Sequence, residues 1–254
     1  MVLFNRLILW SGGLILFILL ELLIKYPQLI FWLVSLMNLA VFFVIWQLTG
    51  RQFQKIKFWN FLITPILLLN SGWLFLIFLE RNFAKQLFIV ALASLLLLFL
   101  KVTFLYFSLR PKYQVHALEN ISSYLNLITV FLFSASFFSL LILLGLSFII
   151  LFLIALVIIA LLTYQLFLVS EISLEAARPH IFIITLVIGE LFMAVKFLPT
   201  SIYVNSLLIS VGFYLTAGLS RNWLMEIKET AVVKRYLIIS FTSIVIILIT
   251  AKWI

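Results

Sequence analysis

Glu190 is the side chain in this sequence best placed to do chemistry. It stands inside the apolar run Gly189-Glu190-Leu191-Phe192-Met193-Ala194-Val195-Lys196-Phe197-Leu198-Pro199. An ionised carboxylate in hydrocarbon costs on the order of 3 kcal/mol or more unless it is paired, hydrated or protonated. Three uses follow: a proton or cation site, a grip on a polar head group, or a protonated or paired group that joins helices. A span over about 180–198 puts Glu190 ten residues in, or about 15 Å along a helix, near the midplane.

Two lysines share that stretch of membrane. Lys196 follows Glu190 by six residues, which leaves the two side chains about 120° apart, and it is expected to snorkel to the head groups. Lys101 lies about seven residues from the end of an apolar run over 86–108. At that position it falls within roughly one helical turn of Glu190 in depth, so it is the expected partner if the two helices are neighbours. Otherwise Lys101 snorkels to its nearer face. The candidate functional or coupling site is therefore Glu190 with Lys101.

The other polar groups read as structural. Glu21 and Lys25 have the favourable i,i+4 order and are expected to pair at the surface. Glu171, Glu175, Arg178 and His180 surround a helix start, with Glu175–Arg178 as an i,i+3 pair. Asn38, Asn70, Asn126 and Asn205 fall mid-span, where amides join helices by hydrogen bonds.

Much chemistry is excluded. Every acidic residue is Glu, so intramembrane aspartyl catalysis and the Asp-rich diphosphate–Mg²⁺ sites of membrane transferases have no ligands. There is no cysteine, hence no thiol nucleophile or thiolate metal site. The two histidines, His116 and His180, make no His-Glu-x-x-His motif, and no phosphate-cradling glycine loop occurs. No cofactor-binding or metal-ligating set is expected. An enzyme remains possible only through Glu190 or the group around Arg178.

The elements that must hold these residues are membrane spans. Of 254 residues 66% are hydrophobic and 10% charged, too few polar side chains to clothe a water-soluble domain. Apolar runs predict an all-α polytopic bundle of about nine spans in one integral membrane domain, 1–254, with no soluble domain. The spans are about 7–24, 29–49, 58–79, 86–108, 121–143, 147–169, 180–198, 200–219 and 236–251. The first is retained as a span, since 7–24 is longer than a usual signal-peptide core.

Only 8 Gly and 5 Pro argue mildly against a transporter of broken helices. Loops fall at about 51–57, 109–120, 170–179 and 220–235. In the last, Trp223, Leu224, Ile227 and Ala231 recur at helical spacing and predict a short surface helix.

The net charge of +9 reads as topology and attraction to anionic head groups, not as nucleic-acid binding. Arg6, Arg51, Lys55, Lys57, Arg110, Lys112, Arg178, Arg221, Lys228, Lys234 and Arg235 fall on one side. Lys25, Arg81, Lys85, Lys196 and Lys252 fall on the other. The richer side is predicted cytoplasmic, which places the N-terminus inside the cell (inner) membrane and the C-terminus outside.

The run from Gly189 to Thr200, with Gly218-Leu219-Ser220-Arg221 and Lys234-Arg235-Tyr236-Leu237, resembles the C-terminal third of an uncharacterised family of multi-span bacterial membrane proteins. The resemblance implies no activity or ligand. The function expected is a non-enzymatic assembly, scaffold or lipid-associated component. The alternatives are a small proton-coupled carrier using Glu190, and an enzyme acting on a lipid-linked substrate.

Overall fold

The computed structural model describes residues 2–50, 56–108, 116–227 and 229–253. The expected loop cations Arg51, Lys55, Arg110, Lys112 and Lys228 lie outside them, as does the side chain of Lys57. Among the described residues the chain is an all-α bundle with nine helices long and apolar enough to cross a membrane. They are α1 (Val2–Lys25), α2 (Ile30–Leu48), α3 (Ile56–Ile77), α4 (Asn82–Ser108), α5 (Ala117–Leu144), α6 (Phe148–Val169), α7 (Leu174–Val195), α8 (Ile202–Leu224) and α9 (Thr230–Thr250).

Three elements differ from the hydropathy reading in ways that matter. Helix α4 starts at Asn82 and α5 at Ala117, because polar residues continue a helix beyond hydrocarbon as readily as apolar ones. Helix α7 starts at Leu174, so Glu175, Arg178 and Pro179 belong to it, and the loop before it is short. Pro179 removes one backbone bond in the second turn, and the helix continues through it. Among the described residues the expected surface helix does not form: Trp223 and Leu224 end α8, and Ala231 lies in the first turn of α9, which begins at Thr230.

The chain divides into two compact units, Met1–Leu125 and Asn126–Ile254. In the first, α1 packs on α2 and α4, and α3 packs on α2 and α4. Consecutive glycines explain how α1 approaches two neighbours. A Cβ at Gly12 would lie 2.6 Å from Val44 Cγ2 of α2, and one at Gly13 would press into Leu97 of α4. Helices α2 and α3 are clasped mid-span by two amides. Asn70 Nδ2 donates to Asn38 Oδ1 at 2.8 Å, Asn38 Nδ2 donates back at 3.3 Å, and Trp73 Nε1 adds a bond to Asn70 Oδ1 at 3.0 Å.

In the second unit α6, α7, α8 and α9 pack in sequence order. Asn126 of α5 donates to Gln165 Oε1 of α6 at 2.7 Å, and both residues are fully buried. Phe192 of α7 stacks on Phe138 of α5 at 4.8 Å and on Phe148 of α6 at 6.2 Å. Tyr236 of α9 stacks on Tyr214 of α8 at 4.9 Å and lies against Gly218. Ser240 is the buried residue of α9, whose other described side chains are at least partly exposed.

Helices α6 and α8 end alike. In each a glutamate takes a left-handed conformation, Glu171 at φ 58° and Glu226 at φ 61°. The next N–H returns to the helix: Ile172 to Phe167 O at 3.0 Å, and Ile227 to Asn222 O at 2.9 Å. This is the Schellman stop, a position usually given to glycine.

Candidate functional site

Helix α7 presents Glu190 outward. Ile184, Ile188, Phe192 and Val195 are its buried stripe. Glu190 is two residues from both Ile188 and Phe192, hence about 200° round the helix from them. Gly189 lies against α6, where a Cβ would be 2.6 Å from Leu156 Cδ2. That close approach fixes the rotation of α7 and leaves Glu190 exposed among Leu186, Val187, Met193 and Ala194, all exposed too. Within its own unit, and among the described residues, Glu190 makes no hydrogen bond or ion pair. It is therefore not an interior residue seeking a neighbour in a closed core, as the hydropathy of its helix alone implies.

Its depth also differs from expectation. Helix α7 ends at Val195, five residues after Glu190, so the carboxylate lies about 8 Å from the helix's C-terminal end. The midplane estimate took the span as 180–198; the helix stops three residues sooner.

Lys101 belongs to the first unit and is likewise exposed, between buried Leu100 and Val102 on α4. Within that unit it has no ion pair among the described residues. It lies seven residues from the end of α4 at Ser108, or about 10 Å.

The lesser candidates sort out individually. Lys196 sits at the end of α7 with its Nζ 4.1 Å from the centroid of the Phe148 ring, a cation–π contact at the mouth of the phenylalanine cluster. Glu21 does not pair with Lys25; it accepts from Gln86 Nε2 of α4 at 3.0 Å, a neighbour the sequence spacing does not reveal. Glu175 and Arg178 form no ion pair either, and both are exposed to solvent-type surroundings where such pairs contribute little. The acid–base contact found among the described residues is the hydrogen bond between His116 Nδ1 and Glu119 Oε1, at 2.8 Å at the start of α5.

Asn38, Asn70 and Asn126 join helices as expected. Asn205 does not: its Oδ1 accepts from Thr200 Oγ1 at 2.5 Å and braces the start of its own helix. There Ser201 caps α8 by accepting from Val204 N–H at 3.4 Å. Trp253 meets Thr200 in an isolated β-bridge, tying the far end of α9 to the α7–α8 turn.

Sequence reading missed three polar residues. Gln165 is hidden in the apolar run of α6, and a glutamine among twenty apolar residues was the available signal. Arg221 and Asn222 read as loop residues, yet they lie in the last turn of α8; Asn222 is buried and Arg221 half-buried. Comparison of the chain with protein-family models, with curated proteins and with solved structures finds no match.

Proposed function

We propose that this chain is a non-enzymatic integral membrane component that assembles with other membrane helices through the outward face of α7. The observation that carries this reading is the exposed Glu190, unpaired among the described residues, on an otherwise apolar stripe. A catalytic carboxylate needs positioned neighbours within hydrogen-bond reach, and a transported proton or cation needs an enclosed polar path. The surroundings of Glu190 in its unit supply hydrocarbon side chains. What such a face suits is a partner helix that brings a cation or hydrogen-bond donor to the carboxylate. The fitting partner is a transmembrane helix bearing an arginine, lysine or amide in the same leaflet.

The location proposed is the cell (inner) membrane, with the N-terminus cytoplasmic and the C-terminus external. Support comes from the imbalance of basic residues between alternate loops. On that orientation Glu190 lies in the external leaflet. Lys101, about 10 Å from the opposite end of its span, lies toward the cytoplasmic leaflet.

The test is the mass of the protein extracted from its own membranes in mild detergent, by light scattering. Wild type runs as an assembly larger than one chain, and Glu190→Leu runs as the single chain. An unchanged assembly in Glu190→Leu contradicts the reading.

A further inference from the structure

The end of the second unit where α8 turns into α9 holds a pocket of about 450 Å³. Its walls include His180 from the second turn of α7, Ser220, Asn222 and Trp223 from the end of α8, Ile227 from the turn, and Val233 from α9. The Schellman stop uses the backbone of Asn222, whose carbonyl accepts from Ile227 N–H at 2.9 Å. Its side chain is left over. Asn222 is only 7% exposed, and its Nδ2 has no acceptor among the described residues. The adjacent Arg221 has Nε and Nη1 buried and likewise without an acceptor.

Buried donors without partners are rare because the lost hydration is not replaced. Here three such nitrogens lie on two successive residues, and all three lack the same thing, an oxygen acceptor. The walls add the Ser220 hydroxyl and the His180 ring, whose Nδ1 donates to Ala176 O at 3.3 Å. No carboxylate is among the described lining residues. The rest of the wall is apolar, and Trp223 is 60% exposed, the habit of an interfacial aromatic.

We propose that this pocket binds a phosphate oxyanion, with the Asn222 amide as its donor and the adjacent Arg221 guanidinium as the neighbouring positive charge. The apolar wall of Trp223, Ile227 and Val233 suits the glycerol and first acyl carbons of a phospholipid. The same groups would also take a free phosphate, and the experiment separates the two sources.

Binding to the purified full chain is measured by native mass spectrometry, and stability by thermal unfolding in the same detergent. The probes are phosphatidylglycerol, diacylglycerol of the same chains, and inorganic phosphate. The expected result is that wild type binds phosphatidylglycerol in preference to diacylglycerol and unfolds at higher temperature with it. Asn222→Leu weakens that binding by about tenfold, the loss of one charge-assisted hydrogen bond, and Asn222→Asp and Arg221→Gln weaken it by changing the charge beside the pocket. Arg81→Gln, an exposed cation of the other unit, leaves it unchanged.

Without lipid, Asn222→Leu unfolds no lower than wild type, because it removes an unsatisfied donor. Binding of inorganic phosphate alone, lost in the same variants, assigns the site to a soluble phosphate. Equal binding of diacylglycerol, unchanged binding in the variants, or a lower lipid-free unfolding temperature for Asn222→Leu overturns the proposal.

Discussion

The polar residues of this chain divide by whether their bonding is complete. Asn38 and Asn70 each donate and accept across the α2–α3 contact, and Trp73 completes Asn70. Replacing only Asn38 with Leu removes both amide–amide bonds, leaves Asn70 bonded to Ile66 O and Trp73, and is expected to lower stability by about 1 kcal/mol. Replacing Asn38 and Asn70 together with Leu costs less than the sum of the single changes, because each single change already removes the same pair of amide–amide bonds. Reversible unfolding of the four proteins in one detergent checks this, and simple additivity of the two single losses would refute the reciprocal clasp. Glu190 is the opposite case, an acceptor with no donor in its unit among the described residues. Its residue type was legible as an anomaly in the sequence. Its direction was not, since α7 is apolar on nearly every side and periodicity cannot say which stripe is buried. Gly189 held the missing information: a glycine beside the carboxylate marks the face that closes on α6, and therefore the face of Glu190 as the other one.

At the scale of elements, two features set how the helices stop and how closely they pack. Glu171 and Glu226 hold left-handed conformations that glycine adopts without the steric cost of a Cβ. Glu171→Gly and Glu226→Gly are each expected to raise stability by about 1 kcal/mol. A fall in unfolding temperature for either variant would show that its carboxylate serves the fold. At the α8–α9 contact, a methyl group on Gly218 would press into the Tyr236 ring, which is held in a stack with Tyr214. Gly218→Ala is therefore expected to cost about 1–3 kcal/mol. Trimming the ring with Tyr236→Ala should remove the additional penalty of Gly218→Ala, which a double-mutant cycle measures. Hydropathy made the existence of every helix legible, because about 20 apolar residues in a row admit one structure in a bilayer. It misjudged ends such as Leu174 and Leu224, where charged residues continue the helix past the apolar run. It also could not foresee that Glu21 answers Gln86 rather than Lys25, since that bond joins residues 65 apart in sequence.

For the molecule as a whole, two compact units of apolar helices carry few interior charges among the described residues; Arg221 is half-buried, while Glu190 and Lys101 are exposed. Solvent-type exposure is ordinary for a lysine near a membrane face, because its stem reaches the head groups. It is unusual for Glu190, whose short side chain has about 8 Å of helix between it and the end of α7. That inequality makes α7, not α4, the face on which assembly is proposed to depend. It is tested most directly by reconstituting the labelled protein in liposomes with a labelled poly-leucine transmembrane peptide and reading their association by energy transfer. One peptide carries a single arginine in the leaflet of Glu190, and the control carries none. Association with the arginine peptide is expected to exceed the control by about tenfold, to fall to the control value in Glu190→Leu, and to be unaffected by Lys101→Met. Equal association of both peptides with wild type would contradict the account. So would a gain of association in Lys101→Met, which would show that Lys101 already neutralises the carboxylate.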